Sequence, residues 1–76
     1  MPIFTKTYNV EPNEAQKNAL AIAFKKVAEY ALNEQNKDVE IVVNKFYNRL
    51  LATLLIDGNV FESRLIGVRG GLTIVW

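Results

Sequence analysis

Seventy-six residues and 8.6 kDa hold one domain with a marginal core, since a chain of this size can bury only about 60% of its unfolded surface. Half the residues are apolar and 22% are charged, which excludes disordered and low-complexity classes. The absence of Cys and His excludes a disulfide framework and thiolate metal sites and removes the commonest catalytic base, while a net charge of +1 is too small to pull the chain onto duplex nucleic acid or an anionic membrane.

Residues 2–10 carry Ile3, Phe4, Thr5, Thr7, Tyr8 and Val10, a β-branched and aromatic run that predicts a strand. Glu11-Pro12-Asn13-Glu14 then signals a helix start, with Pro12 suited to the first turn and the acids to the positive end of the dipole. The helix is expected to run to about Gln35. Leu20, Ala23, Phe24, Val27, Ala28, Tyr30 and Ala31 fall on one half of its wheel, opposite Asn18, Lys25, Glu29 and Asn33, and Ile22 sits among the polar positions. Six alanines between 15 and 31 thin the buried face, which allows a sheet to approach closely.

Asn36-Lys37-Asp38 ends the helix, and residues 39–43 follow as a strand that alternates apart from Val42. Residues 44–57 admit two readings. As a helix, Tyr47, Leu50, Leu51, Leu54 and Leu55 form a stripe that Gly58 stops. As strands, residues 44–48 are a turn, 49–56 a buried strand, and Asp57-Gly58-Asn59 a tight hairpin into residues 60–68. The Asp-Gly signal favours strands. Arg69-Gly70-Gly71 reads as another turn and residues 72–76 as a last strand. The expected fold is α+β, with one long helix on a four- to five-stranded antiparallel sheet in the order β-α-β-β-β-β, within a single domain spanning residues 1–76. No apolar run reaches membrane-span length and residues 1–10 lack signal-peptide character, so a soluble chain is expected, with the lack of Cys favouring the cytoplasm.

From Val27 to Lys37 the sequence VAEYALNEQNK resembles the end of the single helix of cystatins, with Ala28, Ala31, Glu34, Asn36 and Lys37 matching outright. Asn59-Val60-Phe61-Glu62-Ser63-Arg64-Leu65 is similar to a later strand of that family. The resemblance covers about a quarter of the chain. It implies a cystatin-like fold, a helix gripped by an antiparallel sheet, and an inhibitor-like role toward a papain-like cysteine protease as partner, engaged by an N-terminal Gly, a Gln-x-Val-x-Gly loop and a Pro-Trp loop. Residues 1–10 contain no Gly, and 44–48 and 68–71 carry neither loop motif.

In a meander, the turns at 44–48 and 69–71 lie at one end of the sheet. If the opening strand pairs antiparallel with the strand at 39–43, residues 1–4 join them. That edge gathers Lys45, Phe46, Tyr47, Arg49 and Arg69 around Gly70 and Gly71, the residue types of a protein-binding hot spot. The leading expectation is a non-enzymatic module that binds a protein partner through these two hairpin loops. The same residues could serve a small nucleic-acid-binding protein by stacking bases and neutralising phosphates. Leu51, Leu55 and Val42 project away from Leu50, Leu54 and Ile56 onto a face that one helix cannot cover, which points to a homodimer or an assembly subunit. No cofactor, metal or catalytic residue is expected, because the carboxylates show no distinctive pairing and no Gly-rich phosphate loop precedes a helix.

Overall fold

The computed structural model describes residues 2–74. Its elements run β1 (Phe4–Tyr8), α1 (Glu14–Asn33), β2 (Val39–Phe46), β3 (Arg49–Ile56), β4 (Asn59–Ile66) and β5 (Leu72–Ile74). The five strands form one sheet in sequence order, and α1 lies against β2, β3 and β4 on one face. This is the α+β architecture that the sequence predicts. Residues 44–57 are strands, as the Asp-Gly hairpin signal favours. Val75 and Trp76, the end of the expected last strand, lie outside the described residues.

The helix starts where Asn13 caps it. The Asn13 side chain accepts from the Gln16 backbone N–H at 2.8 Å, and the Gln16 side chain accepts from the Asn13 N–H at 3.0 Å. This reciprocal capping box satisfies two backbone donors that would otherwise be unpaired and sets the start at Glu14, two residues after Pro12. Leu20, Phe24, Ala28 and Ala31 bury one stripe of α1. Tyr30, expected on that stripe, is instead exposed, because at 100° per residue it stands about 120° around the helix from Phe24, at the edge of the arc that the sheet covers.

On the sheet, Val39, Ile41 and Val43 of β2 and Leu50, Ala52 and Leu54 of β3 meet the helix, with Ile66 of β4 completing the core. Period-two alternation sends their neighbours to the opposite face. β2 runs three residues further than expected, so the first turn is only Tyr47-Asn48 rather than 44–48, because Phe46 pairs with Arg49. The second turn is Asp57-Gly58, with φ of 52° and 79°, the left-handed pair of a type I′ hairpin turn. A register shift opposite Leu54 and Leu55 places Phe61 as an extra residue in β4.

One expectation is corrected. β1 pairs with β2 in parallel, Phe4 opposite Val39 and Tyr8 opposite Val43, so residues 2–4 begin at the Asp57-Gly58 end and not beside the 47–48 turn. The reason is length. A 20-residue helix spans about 30 Å, enough to carry the chain back past an eight-residue strand of about 26 Å to the end where β1 began. The Ile3 N–H donates to Asp38 Oδ1 and the Asp38 N–H to Asp57 Oδ1, each at 2.9 Å, tying these starting points together.

Candidate functional site

The expected loop cluster divides in space. The turns at 47–48 and 67–71 do lie at the same end of the sheet, since β2 and β4 run in the same direction. The second turn, however, is drawn onto the helix layer. Asn13 Nδ2 donates to the Val68 carbonyl at 2.8 Å and Gln16 Nε2 to the Gly67 carbonyl at 3.4 Å. Gly70 has φ of +88°, and a Cβ there would stand 3.0 Å from the Ala15 carbonyl oxygen. The backbone that approaches Gly70 is therefore the protein's own helix. Gly71 has open space around the Cβ position, and Arg69 is exposed within the turn. Gly70→Ala is expected to cost about 1–3 kcal/mol and Gly71→Ala less than about 0.5 kcal/mol, read from urea midpoints.

The remaining loop residues also separate. Lys45, level with buried Leu50, stands on the helix side of the sheet, whereas Phe46 and Arg49 stand on the opposite side. Tyr47 tops the turn, 83% exposed, with its ring 4.9 Å from that of Phe46 in an edge-on contact. Its φ of 56° is a conformation that a tyrosine holds at a cost of about 1–2 kcal/mol. A two-residue hairpin turn asks for such a φ at its first residue, so the turn between β2 and β3 imposes it.

The more extensive surface is the face of the sheet that α1 does not cover. The strand register arranges it in level rows. Thr5, Glu40, Leu55 and Val60 form one row, and Thr7, Val42, Thr53 and Ser63 the next. Asn44, Leu51, Leu65 and Thr73 follow, and Phe46 and Arg49 form the last. Val42, Leu51 and Leu55 are thus on this face, as the alternation predicts, and all three are only half-buried. Ser63 is 0% exposed although no element covers it, flanked along β4 by Phe61 and Leu65. Its hydroxyl donates to Thr53 Oγ1 at 3.3 Å. A shallow floor of small side chains therefore lies beside a ridge of leucines. Leu65, Phe61 and the floor at Thr53 and Ser63 were missed in the sequence. The bulge that turns Phe61 outward has no local signature, and the strand period assigned to 60–68 could have placed Leu65.

Charge is sparse here. Glu40 stands near one end of the face, where Thr7 Oγ1 donates to its carboxylate at 3.1 Å, and Arg49 stands at the other end. Asn9 Nδ2 donates to Asn44 Oδ1 at 2.7 Å beside it.

On the helix side, Arg64 Nε meets Glu62 Oε2 at 2.8 Å, and its guanidinium carbon lies 5.8 Å from the centre of the Phe24 ring. The cation thus closes one margin of the core rather than serving a surface. No helix of the described residues is long and apolar enough to cross a membrane, and among them no three potential His, Cys, Asp or Glu ligands converge. No protein-family model, curated protein or solved structure matches this chain, so the likeness to cystatins rests on the residues that carry it.

Proposed function

We propose that the protein is a non-catalytic assembly module whose working surface is the uncovered face of the sheet, and that a second copy of the chain occupies it. The observation that carries this reading is the leucine ridge beside the Thr53–Ser63 floor. A two-fold axis lying across the strands at the level of Val43 and Ala52 exchanges the rows in pairs. Leu51 and Leu65 of one copy then descend over Thr53 and Ser63 of the other. The row of Glu40 and Leu55 meets the row of Phe46 and Arg49. Leu51 and Leu65 face the small Thr53 and Ser63, and the one acid and the one base of the face come to adjacent strands of facing rows, within reach of each other across the interface, which is the self-complementarity that a symmetric dimer needs.

The area suffices for a reversible dimer. Eight-residue strands spaced at about 4.8 Å give a footprint of about 500–600 Å² per copy, or just over about 1,000 Å² in total, the lower bound for a specific interface. The hairpin tip at Phe46 and Tyr47 extends the same surface at its rim, so loop and face act together, while the 67–71 turn serves the fold. Light scattering behind a sizing column across a range of protein concentration tests the reading. A mass moving from one chain toward two in the micromolar range is expected. A single-chain mass at every concentration, up to the millimolar range, overturns it.

A further inference from the structure

Because α1 packs chiefly over β2, β3 and β4, the helix-side residues of edge strand β1 lie at the margin of the helix layer. Phe4 and Tyr8, which alternate onto that side in register with buried Val39 and Val43, remain 45% and 38% exposed. Between them and the helix lies a cleft of about 320 Å³. Its exposed apolar surface is the rings of Phe4 and Tyr8, beneath which Leu20, Phe24 and Ile41 of the core close the bottom. Lys6, Lys17 and Lys25 line it too, and no carboxylate does.

The three ammonium groups differ. Lys17 Nζ is paired to Glu11 Oε1 at 2.9 Å, and the hydrogen bond and charge of Glu11 hold its pKa above the ordinary lysine value. Lys6 and Lys25 have no carboxylate within 4 Å among the described residues. Lys6 Nζ instead stands 5.5 Å from the centre of the Phe4 ring, at the mouth of the cleft. An apolar slot with two uncompensated cations at its rim attracts one chemical class, an anion carrying an apolar body.

The geometry points to a binding site for a small amphipathic carboxylate, its apolar part lying along the rings of Phe4 and Tyr8 above Leu20, Phe24 and Ile41 and its carboxylate between Lys6 and Lys25. At about 30 Å³ per water-sized volume, the cleft holds about ten non-hydrogen atoms, the size of an eight-carbon acid. Its position on the helix side separates it from the proposed dimer face, so either assignment stands or falls without the other.

Octanoate is the probe, titrated well below micelle formation into the ¹⁵N-labelled full chain, with octanol and octylammonium as neutral and cationic counterparts. Saturable amide shifts are expected around Lys6, Leu20, Ala21, Phe24 and Ile41 with octanoate, weaker with octanol and absent with octylammonium. The exposed double change Lys6→Glu with Lys25→Glu is expected to weaken octanoate at least about tenfold, two charge reversals beside an apolar wall. Ala21→Trp, which fills the slot from the helix, is expected to remove binding. Absence of saturable shifts overturns the site, as does octylammonium binding equally well, unchanged affinity in the double variant, or shifts confined to the opposite sheet face.

Discussion

Phe24→Ala is expected to lower the unfolding free energy by about 3–5 kcal/mol, the largest effect of any single truncation in the chain. The ring is 1% exposed, sits midway along α1 and is the largest fully buried side chain. The rest of the helix stripe is leucine and alanine, so little around it can collapse into the space it would leave. A chain of 76 residues has about 4–11 kcal/mol of stability in total, so the variant loses about a quarter of that or more. Its loss also removes the surface on which the Arg64 guanidinium rests beside Glu62. Urea unfolding followed by circular dichroism measures the change. A loss below about 1 kcal/mol would show that the helix is held to the sheet by something other than this ring.

Leu51→Glu is expected to act on association and to spare the fold. Leu51 is half-buried on the uncovered face, so a glutamate there remains hydrated in the single chain. In the symmetric dimer the same carboxylate enters the Thr53–Ser63 floor of its partner, and two unpaired charges are buried at once. Each costs several kcal/mol, so association is expected to weaken by at least about 100-fold while chain stability changes by less than about 1 kcal/mol. Its neighbour supplies the contrast. Leu50 is buried against the helix, so Leu50→Ala is expected to cost about 2–4 kcal/mol of stability through the cavity it leaves. Two adjacent leucines thus report on two different surfaces. Light scattering and urea unfolding on both variants separate them, and a Leu51→Glu chain that keeps the dimer mass contradicts the assigned face.

Much of this was legible in the sequence, for reasons particular residues make plain. The 44–57 stretch was resolved by Asp57-Gly58, because one common type of two-residue hairpin turn needs two left-handed residues and that dipeptide supplies them. The two faces of β3 followed from alternation, so Val42, Leu51 and Leu55 could be placed outside the core. The parallel pairing of β1 escaped although the helix length implied it, since a helix longer than a strand returns the chain to its starting end. The role of Gly70 escaped for another reason. Its neighbour Ala15 is 55 residues away in the chain, and only the capping box of Asn13 and Gln16, which also reaches the Val68 and Gly67 carbonyls, brings that turn onto the helix. Pairing between distant backbones leaves no local mark.

The same distinction explains the candidate site. Lys45, Phe46, Tyr47, Arg49 and Arg69 share one end of the sheet, as a meander dictates, but local alternation sends Lys45 and Arg49 to opposite sides. What the residues share is a position along the strands. What a partner would meet is a face, and there the leucine ridge dominates.

Reversing the two charges on that face tests the face-to-face arrangement most directly. Glu40 and Arg49 lie six levels apart along the sheet, about 20 Å, too far to interact within one chain. Across the proposed two-fold axis they are neighbours, and symmetry makes the pair twice. Glu40→Arg and Arg49→Glu are each expected to weaken dimerisation about tenfold, and the double exchange to restore it to within about threefold of the original, as a double-variant cycle on contacting residues requires. Sedimentation equilibrium of the four proteins gives the constants. Recovery in the double variant is the result predicted. Additive losses in the double variant, or no effect of either single change, would contradict the account.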